Sequence, residues 1–124
     1  MTKRILVVED QEDLRGVLRT LLTGSGYEMI EAADGQAGVA QAKAERPDLI
    51  LMDIQMPVMD GYEAMRQIKA DPNLAATPVI AVSSFAMKGD EEKARASGCD
   101  SYVTKPYGPM QLLRIIRGYL GEQQ

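Results

Sequence analysis

Leu49-Ile50-Leu51-Met52-Asp53-Ile54-Gln55-Met56-Pro57-Val58-Met59-Asp60-Gly61 is the stretch that decides the fold. Asp48 to Met52 reads as a strand, because four consecutive apolar residues suit a strand covered on both faces. Asp53 follows the run directly. The next segment contains Pro57 and Gly61 and can turn sharply into a helix. That helix begins at Gly61 and stops near Asp71-Pro72.

The same arrangement recurs on either side. Ile5-Leu6-Val7-Val8 leads to Glu9 and Asp10, Val79-Ile80-Ala81-Val82 leads to Ser83, and Tyr102-Val103-Thr104 leads to Lys105 and Pro106. Strands are therefore expected at 4–8, 48–52, 78–82 and 101–104, with a weaker one at 28–32. Leu14, Val17, Leu18, Leu21 and Leu22 follow the spacing of an amphipathic helix, which Gly24 and Gly26 end. Residues 35–46 form an alanine-rich helix closed by Pro47. Gly35 and Gly38 do not make a nucleotide loop. Pro109 suits the first position of a last helix with the stripe Leu112, Leu113, Ile116 and Leu120. Lys88 to Ser97 is a helix with little apolar material, either a candidate for motion or partner contact or a solvated edge helix. Strands and helices alternating at this spacing imply right-handed βαβ units and a parallel sheet. With parallel neighbours, Glu9, Asp10, Asp53, Ser83 and Lys105 meet at one sheet edge. Three carboxylates, a cation and a hydroxyl in one crevice suit a divalent metal and a phosphoryl group.

The 124 residues fit one domain. The chain carries a net charge of -4, which argues against a nucleic-acid surface and gives no reason to expect a membrane. No apolar run approaches the ~18 residues of a membrane span. The strand signal starting at Arg4 leaves no room for a signal peptide. The single cysteine, Cys99, excludes an internal disulfide, suits a cytoplasmic setting, and reads as a small buried residue. Histidine is absent, which removes Ser-His and Cys-His nucleophile pairs, histidine metal ligands and phosphohistidine from this chain.

The segments VVED (7–10), LILMDIQMPVMDG (49–61), AVSSFAMKGDEE (81–92) and SYVTKP (101–106) together resemble the receiver domain of two-component response regulators. The single-domain DivK type is nearer than the chemotaxis type. The resemblance covers residues 1–121 and leaves 122–124 as a polar tail. It implies a flavodoxin-like (βα)5 sandwich with a five-stranded parallel sheet of order 2-1-3-4-5. It further implies Mg2+, with Mn2+ able to substitute, ligated by Asp10, Asp53 and the backbone carbonyl of Gln55, with Glu9 acting through water. Asp53 is then the phosphoacceptor, and Ser83, the backbone of Ser84 and Lys105 bind the phosphoryl group. Ser83 and Tyr102 are the switch pair, and the peptide bond before Pro106 is cis.

Each assignment has a plainer counterpart. Glu9 and Asp10 could be an acidic turn capping the first helix, and Asp53, like Asp60, a loop or cap aspartate. Lys105 could be a solvated charge, and Tyr102 a half-buried strand tyrosine. Met52, Met56, Met59 and Met65 read as core filler and loop anchors. Gln55 and Phe85 flank the site and are expected to tune hydrolysis. Gln55 can hold a water without taking its proton, and Phe85 either shields the phosphoryl group or packs against a loop or partner.

A flavodoxin-type flavin protein would need a hydroxyl- and glycine-rich loop where this chain has Glu9-Asp10-Gln11-Glu12-Asp13. A dehalogenase-type phosphatase would need a second aspartate at Gln55. A degenerate receiver acting as an unphosphorylated scaffold is the remaining alternative. The reading that follows is a regulatory phosphoacceptor, not a metabolic enzyme. It catalyses its own phosphoryl transfer and a slow autodephosphorylation. A histidine kinase or histidine phosphotransfer protein supplies the phosphohistidine. Output passes by protein contact through the face of the fourth helix, fifth strand and fifth helix.

Overall fold

The computed structural model describes residues 2–56, 59–84 and 89–121. The strands are β1 (Arg4–Val8), β2 (Glu28–Ala32), β3 (Leu49–Asp53), β4 (Val79–Ser83) and β5 (Ser101–Thr104). The helices are α1 (Glu12–Gly24), α2 (Gly35–Glu45), α3 (Gly61–Ala70), α4 (Asp90–Ala96) and α5 (Pro109–Leu120). All strand pairs are parallel and the order is β2-β1-β3-β4-β5, as the resemblance implied.

Alternation along the strands divides the core in two. Ile5, Val7, Leu49, Leu51, Ile80, Val82 and Val103 pack with Leu18 and Leu22 of α1 and Leu112, Leu113 and Ile116 of α5. Leu6, Val8, Ile50, Met52, Val79 and Ala81 pack on the opposite face with α2, α3 and Ala94 of α4. Met52, Met56 and Met65 are buried there and Met59 packs against them, as filler should. Cys99 is buried and free.

Several boundaries differ from expectation by a residue or two. β3 and β4 each run one residue later, through Asp53 and Ser83. The backbone of Asp53 stays in the ladder beside Val82, and that of Ser83 beside Thr104, whatever their side chains. Pro78 lies outside β4; its carbonyl accepts from Ile50 N–H, but it has no N–H to give. α2 ends at Glu45 because Arg46 turns left-handed. α4 starts at Asp90; the expected start at Lys88 lies outside the described residues, as do Phe85 and the tail 122–124. Val17, expected on the buried stripe of α1, is 61% exposed.

Gly35 and Gly38 serve packing. A Cβ on Gly38 would lie 2.8 Å from Val8, and one on Gly35 would lie 2.5 Å from the Met59 carbonyl.

Candidate phosphoryl and metal cleft

Register brings the acidic residues together. β1 and β3 pair Val8 with Met52, so the next step sets Glu9 beside Asp53. β3 and β4 pair Asp53 with Val82, and β4 and β5 pair Ser83 with Thr104, so Lys105 follows at the same edge. This edge lies where the chain leaves β1 for one side and β3 for the other, the crevice where open α/β sheets bind ligands. Gly61 lets α3 close on it. A Cβ there would lie 2.4 Å from the Asp53 carbonyl, and Gly61 N–H donates to the Ile54 carbonyl at 3.0 Å.

Glu9 and Asp53 are almost fully buried, 3% and 4% exposed, while Asp10 is exposed. One carboxylate oxygen from each of the three lies within 4.8 Å of the others. Lys105 Nζ stands 2.9 Å from Glu9 Oε1 and 3.5 Å from Asp53 Oδ2. One ammonium thus faces three acids. Burial and the neighbouring Glu9 push the Asp53 carboxyl up to about 7. Burial and Glu9 also raise Asp10. Burial alone would raise Glu9 too, but its hydrogen bonds with Asp53, Lys105 and Gln11 N–H outweigh that and hold it below the usual carboxylate range. Crowded oxygen donors with an open, exposed side at Asp10 fit a hard divalent cation that keeps several waters.

The acidic turn does not cap α1 through Asp10. The N-cap is Gln11, and its side chain makes no capping bond. Asp60 does cap α3, its Oδ1 accepting from Glu63 N–H at 3.0 Å.

Ser83 is fully buried. Its Oγ accepts a hydrogen bond from Gln55 Nε2 at 2.9 Å, and Ser84 N–H donates to Gln55 Oε1 at 2.7 Å. Gln55 N–H donates to Asp53 Oδ1 at 3.1 Å. Tyr102 is half-buried at the edge of the core under α2, α3 and α4. The Lys105-Pro106 peptide is cis.

One participant, Tyr107, and the side-chain contacts of another, Gln55, escaped the sequence reading. Tyr107 lines a hollow of about 10 Å³, room for about one water, with Glu9 and Asp53. Burial, then the charges of those two acids, push its hydroxyl up to about 12. Its approach depends on the turn at Pro106, which periodicity does not encode. The Gln55 side chain was expected to face water, but its bonds to Ser83 and Ser84 follow only from the β3–β4 register. An apolar groove of about 470 Å³ also opens beside Ser84 and Lys105, between Leu14, Val17 and Leu21 of α1 and the Pro106–Pro109 turn.

A doubly wound parallel sheet with a carboxylate-rich crevice, a buried hydroxyl and a lysine before a cis proline defines a class of signalling domain. Residues 5–117 match the response regulator receiver domain, and the chain belongs to that family. The polar-differentiation response regulator DivK of Brucella ovis is 44% identical over 122 residues, 98% of this chain and 99% of that protein. Among solved structures, the receiver domain of a sensor histidine kinase from Pseudomonas aeruginosa PAO1 is 37% identical. It has a TM-score of 0.90, covers 98% of this chain and 100% of its own, and carries magnesium in its active-site cleft. The chemotaxis protein CheY4 of Vibrio cholerae is 28% identical, with a TM-score of 0.91 and coverage of 96% and 99%. The chain is thus a regulatory domain of two-component signalling.

Proposed function

We propose that Asp53 is the phosphoacceptor of a two-component switch and that the protein signals through contacts with other proteins. The observation that carries this reading is the placement of Glu9, Asp10, Asp53 and Lys105 around one crevice. An Asp53 oxygen attacks the phosphorus of a partner's phosphohistidine. The O–P bond forms as the P–N bond breaks, and the imidazole nitrogen takes a proton. Water later cleaves the acyl phosphate, returning the carboxylate and inorganic phosphate.

Asp10, Asp53 and the Gln55 carbonyl would hold Mg2+, or Mn2+ in its place, with Glu9 acting through water. A bound cation would neutralise charge between the nucleophile and the incoming group. Magnesium in the Pseudomonas receiver supports that choice. Lys105, already within reach of Asp53, supplies a positive charge to the phosphoryl oxygens. Ser83 Oγ and Ser84 N–H supply donors, and Tyr102 follows Ser83 as the switch. The α4-β5-α5 face is the output surface. Phe85 and Gln55 tune hydrolysis; Phe85→Glu shortens the phosphoryl lifetime several-fold and Gln55→Ala changes it less.

Acetyl phosphate with and without Mg2+, read by intact mass, tests the assignment. The expected result is one phosphate on the wild type with Mg2+ and none on Asp53→Asn. No phosphate on the wild type would favour the unphosphorylated scaffold; stoichiometric phosphate on Asp53→Asn would move the acceptor elsewhere.

A further inference from the structure

Gln55 makes contacts that its place in the chain does not require. Its side chain reaches from the end of β3 to the end of β4 and pairs there twice. Oε1 accepts from Ser84 N–H at 2.7 Å and Nε2 donates to Ser83 Oγ at 2.9 Å. A backbone N–H can only donate, so the amide atom facing Ser84 is the oxygen. The Gln55 backbone N–H donates to Asp53 Oδ1 at 3.1 Å, which ties the residue to the nucleophile.

The two groups held by this amide are those that must turn to a phosphoryl oxygen on Asp53. The Ser84 N–H has one proton to offer. The Ser83 hydroxyl, now accepting from Nε2, would have to donate. We propose that the Gln55 amide oxygen is a built-in stand-in for a phosphoryl oxygen. In the resting protein it occupies the Ser84 N–H donor while the amide nitrogen holds the Ser83 hydroxyl as an acceptor, and both contacts are given up when the group arrives. The proposal rests on Asp53 being the phosphoacceptor.

The exchange at Ser84 is acceptor for acceptor, so the Ser84 N–H has a partner in both states. The resting contact therefore competes with the ligand and sets how readily the cleft loads. A neutral amide suits this role. A carboxylate at position 55 would accept from Ser84 equally well but would add another charge beside Glu9 and Asp53. The contact also spans the ends of β3 and β4.

The test uses beryllofluoride, which stands in for the phosphoryl group on a carboxylate, titrated at saturating Mg2+ into wild type, Gln55→Met, Gln55→Ala and Gln55→Glu. Backbone amide exchange of Ser84 is followed by NMR without beryllofluoride. Gln55→Met keeps the side-chain length and removes the hydrogen bonds, so it separates competition from lost volume. Gln55→Met and Gln55→Ala are expected to bind about three- to ten-fold tighter than wild type, the range set by one or two ordinary hydrogen bonds. Gln55→Glu is expected to bind more weakly. Ser84 exchange should speed up several-fold in Gln55→Met and Gln55→Ala. Equal or weaker beryllofluoride affinity in both of those variants overturns the proposal, and so does unchanged Ser84 exchange. Failure of every protein, wild type included, to bind beryllofluoride while Ser84 exchange still rises is a different result. It would sink the phosphoacceptor reading and, with it, the competition.

Discussion

α3 and α4 leave adjacent strands at the same cleft, yet they are held by very different means. α3 follows the strand that ends in Asp53. It buries Tyr62, Ala64, Met65 and Ile68, starts on the Asp60 cap and closes on the Asp53 carbonyl through Gly61. α4 follows the strand that ends in Ser83. It buries Ala94 alone, and its N-cap, Gly89, has φ 96 and no side-chain bond. Among its other supports are Lys93 over the Tyr62 ring at 4.3 Å and the exposed Glu91–Arg95 pair at 3.0 Å. The carboxylate half of the cleft is thus fixed by core packing, while the hydroxyl half is backed by a helix with little burial. Local opening costs least where buried apolar contacts are fewest. A ligand that contacts both halves can then shift α4 without disturbing the acids.

The largest expected effect breaks the anchored half. Ile68→Ala removes a fully buried side chain from α3 and should cost about 2–5 kcal/mol. Ala94→Gly, at the one buried position of α4, should cost about 1 kcal/mol. Urea unfolding of both variants measures the difference. Equal losses would mean that α4 is anchored as firmly as α3.

Next in size is the cation. The Asp53 carboxyl, at about 7 in the folded protein, lies above its ordinary 3.8. Between those values the native state keeps a proton that the unfolded chain has released. Stability without metal therefore falls as pH rises from about 4 to about 7. Glu9 is shifted downward, so its opposing contribution lies below its ordinary 4.5. Mg2+ should stabilise by about 2.7 kcal/mol at one hundred times its dissociation constant. It should also raise the melting midpoint more at pH 8 than at pH 5.5. Asp53→Asn should flatten both the pH dependence and the Mg2+ effect. A wild-type midpoint indifferent to millimolar Mg2+ at pH 8 would leave the three acids as a solvated turn.

How much of this was legible in the sequence follows the same division. β1, β3 and β4 announced themselves as apolar runs, β2 and β5 less clearly, and Glu9, Asp53, Ser83 and Lys105 stood at or beside the strand ends because the polypeptide turns polar where it leaves the core. Strand order was not legible, since alternation is the same for any winding; it came from resemblance. The weak burial of α4 could be read directly from Lys88–Ser97, although its start could not. What escaped was pairing across strands. Gln55 reaches Ser83 and Ser84 only because β3 and β4 are neighbours in one register. Tyr107 meets Glu9 and Asp53 through a turn whose path no periodicity describes. Asp10 was weighed as a helix cap, but Gln11 takes the N-cap position without a side-chain bond.

The smallest expected effect sharpens the contrast on the α4 side. Arg95 pairs with Glu91 one turn earlier, and its guanidinium also donates to the Asp100 carbonyl at 3.3 Å. Both partners of the ion pair are at least half exposed, so the pair is screened and weak. Arg95→Ala should lower global stability by only about 0.2–0.5 kcal/mol. Yet α4 has one buried side chain, so the same loss is a large share of what holds it locally. Amide exchange of residues 93–97 should therefore speed up while that of α3 stays unchanged. Arg66→Ala is the control. It breaks the Glu63 pair of α3, about half exposed at 2.7 Å, on a helix whose core face carries the load, and it also removes a 3.3 Å bond from Arg66 to Ser97 Oγ at the end of α4, so only the α3 amides serve as the control. There, exchange of the α3 amides should hardly move. Faster exchange throughout α3 in Arg66→Ala, or none in α4 in Arg95→Ala, would show that surface pairs and not buried side chains set the local stability of these two helices.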